Sequence, residues 1–153
     1  MHPTLRLLPL LAFVLLIAEV LPAFAASPTD ACSVLTAAQV SSAVGSTVAN
    51  GIYDAPGFTK TCTWTIPTGG SVTLQLQTMD FFNAGKGALA SMERTSSNGV
   101  GDESYYLGPG SMTGLSVRKG NAAFKIHVYS GKLTAEQVKA IEKTLALQAL
   151  PKF

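Results

Sequence analysis

Two stretches of the chain alternate strictly between apolar and polar positions. Cys62, Trp64 and Ile66 alternate with Thr61, Thr63 and Thr65, and Val72, Leu74 and Leu76 alternate with Thr73, Gln75 and Gln77. A period of two marks strands with one apolar face. Pro67-Thr68-Gly69-Gly70 separates the runs, so they read as a hairpin. Pairing Ile66 with Val72, Trp64 with Leu74 and Cys62 with Leu76 puts all six apolar side chains on one face and only Thr and Gln on the other. That pairing needs an odd loop with Gly in a left-handed conformation. A second hairpin follows the same logic. Leu115 and Val117 alternate with Ser116 and Arg118, and Phe124, Ile126 and Val128 with Lys125, His127 and Tyr129. Gly120-Asn121 supplies a two-residue type II′ turn, which sets Val117 opposite Phe124 and Leu115 opposite Ile126.

Helices are announced by their caps. Leu35-Thr36-Ala37-Ala38-Gln39-Val40 and Leu133-Thr134-Ala135-Glu136-Gln137-Val138 carry the same signal. In each, Thr caps, Gln three residues on completes a capping box, and the flanking apolar pair staples the first turn. Gly45 stops the first helix and Pro151 the last. The last helix has an apolar stripe of Val138, Ile141, Leu145 and Gln148/Ala149. A further helix is expected from Phe81 to Met92, capped by Asp80, with Phe81, Ala84, Ala88 and Met92 on one side. Gly85 and Gly87 weaken it, at about 1 kcal/mol each relative to Ala. Residues 95–101 read as loop, and 102–107 as one more strand. The order α-β-β-α-β-β-β-α, with short hairpins, predicts an α+β fold: an antiparallel sheet of about five strands with helices packed on it.

The first 25 residues read as a signal peptide. An apolar run from Leu7 to Val20 is followed by Pro22 and by Ala23-Phe24-Ala25, a small-x-small cleavage pattern. No cysteine stands at that cut for lipid attachment. Residues 26–153 then form a single secreted or periplasmic domain with no later membrane span. In that setting Cys32 and Cys62, the only two cysteines, predict a disulfide rather than a redox or metal pair. The net charge is only +2 and the basic residues are dispersed, which argues against a nucleic-acid partner.

Several segments together carry a resemblance: Asp30-Ala31-Cys32-Ser33-Val34-Leu35-Thr36 with Val40 and Gly45, Cys62-Thr63-Trp64, Gly99-Val100-Gly101-Asp102-Glu103-Ser104-Tyr105, and Val117-Arg118-Lys119-Gly120. The pattern resembles a broad group of bacterial secreted or lipid-anchored domains of unknown function. Some members are similar to extracellular sensor domains of bacterial serine/threonine kinases. The resemblance implies a sheet with helices packed on it, in the style of the photosystem PsbP domains. It supplies no catalytic residues.

Candidate chemistry is sparse. His127 is the one imidazole after the leader, on the strand face opposite Phe124 and Ile126. Asp102 and Glu103 are adjacent and point to opposite faces, which suits a turn-stabilising role better than paired acid–base work. Gly108-Pro109-Gly110 lacks the spacing, lysine and following helix of a phosphate loop. Trp64 is expected beside the disulfide. The expected function is a non-catalytic binding or sensor-like module for a protein or small ligand, monomeric and without metal or cofactor. His127, Tyr129, Arg118 and Trp64 are its candidate ligand-facing residues. The alternative is a hydrolase-type enzyme with His127, Asp102 and Ser104 at its site.

Overall fold

The structure is a computed structural model that describes residues 27–87 and 92–153. The expected signal peptide, residues 1–25, lies outside the described residues. No described helix is long and apolar enough to cross a membrane.

The sheet has seven strands, two more than expected: β1 (Ile52–Tyr53), β2 (Thr61–Thr65), β3 (Ser71–Gln77), β4 (Arg94–Ser97), β5 (Glu103–Leu107), β6 (Gly114–Lys119) and β7 (Ala122–Tyr129). Their order across the sheet is β1-β2-β3-β7-β6-β5-β4, and every neighbouring pair is antiparallel. The two additional strands are the edges. β1 is two residues long, and β4 reads Arg-Thr-Ser-Ser with no apolar member. Short or polar edges resist pairing with another chain, and for the same reason they give no alternation signal.

The β6–β7 hairpin has the expected register, with Leu115 opposite Ile126 and Val117 opposite Phe124. Gly120 takes a φ of 57°, as the first position of a II′ turn requires. The β2–β3 hairpin corrects the expectation by two residues. Trp64 faces Val72 and Cys62 faces Leu74. The hairpin closes more tightly than that pairing implies: Ile66 N–H donates to Gly70 O and Gly69 N–H donates to Ile66 O, which leaves Pro67, Thr68 and Gly69 in the turn. A shift of two preserves which face each side chain occupies, so the apolar face survives intact.

Helices α1 (Ala37–Val44) and α3 (Ala135–Ala149) begin with the predicted capping boxes on Thr36 and Thr134. With Val40, Val138, Leu145, Ala146 and Ala149 they enclose the apolar face of the sheet, where Trp64, Leu74, Leu115, Phe124 and Ile126 are buried. Phe153 closes one end by stacking on Phe124, ring centroids 4.4 Å apart. The Cys32–Cys62 bridge ties the 3-10 turn Ala31–Ser33 to β2. Gly51 lies beside it, and a Cβ there would collide with both the Cys62 sulfur and the Trp64 indole.

Helix α2 (Met79–Lys86) is the main correction. Its cap is Thr78, whose hydroxyl accepts from Phe81 N–H, rather than Asp80, and it ends at Lys86 with Gly87 as its C-cap, short of Met92; Ala88 lies outside the described residues. Phe82 is fully buried, whereas Phe81 is 67% exposed and Met92 53% exposed. The buried side is thus turned by one residue from the expected stripe. The reason is Gly85: a Cβ there would collide with the Tyr105 hydroxyl, so glycine lets the helix settle onto β5. That hydroxyl donates to Phe82 O at 2.7 Å, and Phe82 packs on the Tyr105 ring at 5.1 Å. Lying between β3 and the far-edge strand β4, α2 covers part of the face that α1 and α3 leave open.

Candidate functional site

The pairing registers define cross-sheet rows on this second face. One row runs Thr61, Gln75, Lys125, Ser116, Tyr105; the next runs Thr63, Thr73, His127, Gly114, Leu107. Helix α2 covers the Tyr105 end through its small cluster of Phe82, Tyr105 and Ala123. The Thr61–Thr73–Gln75–Lys125–His127 end remains open, as a floor of hydrogen-bonding side chains on adjacent strands.

Two hollows share this floor. A polar one of about 230 Å³ is lined by Asp54, Thr61, Thr73, Gln75, Lys125 and His127. A second of about 170 Å³ lies against α2, with Phe81, Ala84, Tyr105 and Leu107 among its walls. Gln75 and Lys125 line both, so the two form one groove with these side chains at its centre. A larger hollow of about 330 Å³ lies elsewhere, bounded by Ser27-Pro28-Thr29, Lys60, Gln77 and Phe153. Its walls include terminal segments of the described chain, whereas the groove floor is carried by paired strands, which hold side chains more firmly.

His127 sits in β7, between Thr73 and Gly114 of the neighbouring strands. Partial burial pushes its pKa below 6.5, and the charge of Lys125 lowers it further. No carboxylate hydrogen-bonds to it among the described residues, and Asp54, in the same hollow, accepts the Thr63 hydroxyl instead at 2.7 Å. The imidazole is therefore neutral near pH 7, a donor and acceptor without a fixed charge. A titration of its ring protons by NMR is expected to return a pKa below 6.5. Stability that depends on the neutral ring is present above pH 6.5 and declines as pH falls through the folded-state value; His127→Gln removes that decline. A measured pKa at or above 6.5 contradicts this placement.

The other sequence candidates scatter. Trp64 is 1% exposed and belongs to the core, away from the open face. Tyr129 is exposed on the open face, opposite Ser71. Arg118 is on the same face but engaged, 3.5 Å from Asp102 and 3.5 Å from Glu103. Glu103 also pairs with Lys86 at 2.8 Å, and this hydrogen bond leads in holding its carboxyl below the usual range. Asp102 does accept a backbone N–H, as expected, but from Gly120 across the sheet rather than within its own turn. Ser104 points to the core face and donates to Ser97 O, so Ser104 and His127 lie on opposite faces of the sheet. The structure does not bring His127, Asp102 and Ser104 together. Among the described residues no cluster of three or more His, Cys, Asp or Glu could hold a metal ion.

Sequence reasoning missed Lys125 and Gln75 as the centre of the groove, and it missed Glu142. Glu142 is fully buried on α3. Its Oε1 accepts from Val128 N–H at 3.0 Å, while its Oε2 has no partner among the described residues. Burial drives its pKa up to about 8, against smaller opposing effects of that hydrogen bond, Lys125 and Lys139. The signal was present, since Glu142 stands four residues after Val138 and three before Leu145, within the apolar stripe.

Comparison with protein-family models, with curated proteins and with solved structures finds no match to this chain.

Proposed function

We propose that this chain is a non-catalytic exported binding module that takes a small ligand on the open face of its sheet. The observation that carries this reading is the groove itself: polar side chains from β2, β3 and β7, in adjacent register, line a hollow beside α2. Concave sites with a few convergent polar groups and an apolar wall are the usual setting for small-molecule recognition. Export fits the disulfide. The resemblance to secreted and sensor-type domains agrees with binding rather than turnover, and a monomer suffices because the groove is built within one chain.

A thermal-shift screen of a small-molecule library tests this reading. A ligand of the native state raises the midpoint as its concentration exceeds Kd. Ligands that stabilise the native protein are expected to lose that effect in Thr73→Arg, which fills the polar hollow. Equal stabilisation of both proteins by every active compound would place binding elsewhere and overturn the reading.

A further inference from the structure

The groove contains one lysine whose charge is unused. On the second face Lys86 and Arg118 are neutralised by Glu103 and Asp102, and Arg94 stands opposite Leu107 on the edge strand β4, outside the lining of the groove. Lys125 pairs with no carboxylate among the described residues, although it sits in the middle of the sheet with Gln75 and Ser116 on either side. Its position is built. Gly114, on the neighbouring strand, has no side chain, and a Cβ there would collide with the Lys125 stem and lie 3.2 Å from its ammonium. The missing Cβ lets Lys125 lie across β6 instead of standing out into water.

We propose that the groove takes a small amphiphilic monocarboxylate, with its carboxylate on the Lys125 ammonium and its apolar tail in the hollow beside α2. This rests on the open face being the binding site. The occupant follows from charge and shape. One unpaired ammonium matches one negative charge; a phosphate dianion calls for more donors than a single lysine brings. Phe81, Ala84, Tyr105 and Leu107 offer apolar surface on one side of Lys125. On the other side Asp54, Thr61, Thr73 and His127 offer hydrogen bonds. Asp54 repels a second carboxylate at that end, so the acid group is held at the centre and the tail points toward α2. Phe81, an exposed aromatic ring at the wall of that hollow, gains a contact when the tail is in place.

Calorimetric titration with octanoate, octanol and octylamine separates the contributions. Octanoate is expected to bind at least tenfold more tightly than octanol, with octylamine weakest and the octanoate affinity falling as salt rises. Lys125→Gln is expected to reduce octanoate affinity tenfold or more. Gly114→Ala does the same while keeping the charge, because it displaces the lysine stem. Lys132→Gln, which removes a charge from the turn after β7, leaves the affinity unchanged. Circular dichroism of each variant establishes that it is folded. Octanoate binding no better than octanol, or unaltered by both Lys125→Gln and Gly114→Ala, overturns the carboxylate assignment while leaving the groove as a site. Absence of binding by all three probes also overturns it, and the groove reading is then judged by the Thr73→Arg comparison alone.

Discussion

Glu142→Gln is expected to stabilise the protein by about 2–3 kcal/mol near pH 8 and by little near pH 4. The carboxyl is buried under α3 against β7, with a folded-state pKa of about 8 against an ordinary value of 4.5. Below pH 4 both folded and unfolded chains hold the proton, and burial of the neutral acid adds no ionisation penalty. Between the two values the unfolded chain releases its proton and the folded one keeps it, so stability declines as pH rises. Above pH 8 the folded chain ionises too and the decline stops. Gln keeps an oxygen for Val128 N–H, whose partner strand β6 starts at Gly114, opposite His127. It removes the ionisation, at the smaller cost of burying an amide with incomplete hydrogen bonding. His127 acts in the opposite direction below pH 6.5, so the informative quantity is the difference between native protein and variant in urea unfolding from pH 4 to pH 9. Parallel stability curves across that range would show that Glu142 ionises in the folded state as readily as in water.

Loss of the Cys32–Cys62 bridge is expected to lower stability by about 3–4 kcal/mol, from the chain entropy regained by opening a loop of this size. The two cysteines are 30 positions apart, and the bridge joins the turn before α1 to the second strand. Other ties hold that turn more weakly: Ala31 N–H donates to Thr59 O, and Tyr53 donates to the Asp30 carboxylate at 2.9 Å. Cys62 is fully buried beside Trp64, so reduction also leaves a thiol in the core. Denaturant unfolding of the native protein and of a Cys32→Ala, Cys62→Ala variant measures the effect. A difference under about 1 kcal/mol would mean that core packing alone fixes the turn before α1.

Elements with a local signature were legible in the sequence. The Thr36 and Thr134 capping boxes, the Gly120-Asn121 turn and the strict alternation in β6 and β7 each have a chemical cause confined to a few residues. The β2–β3 register was legible in its faces but not in its pairing, because a shift of two leaves every side chain on the same side. β1 and β4 were illegible because edge strands need no apolar face. The rotation of α2 depends on Gly85 meeting Tyr105, residues 20 positions apart that only the fold brings together. The candidate site was half legible. The alternation placed His127 on the open face, but the partners that make a groove of it, Thr73, Gln75 and Lys125, depend on β3 lying beside β7. No local pattern predicts that a strand from the first hairpin will pair with the last strand of the chain.

The central claim is that ligand recognition takes place on the open face between β2 and β6. Chemical-shift mapping of isotopically labelled protein by NMR tests it most directly, using any compound that stabilises the protein. The largest perturbations are predicted at Thr61, Thr73, Gln75, Ser116, Lys125 and His127, on four neighbouring strands. Perturbations concentrated instead around Lys60, Asn121 and Phe153, with the open face silent, would contradict the claim and move the site to the hollow bounded by Ser27–Thr29 and Phe153.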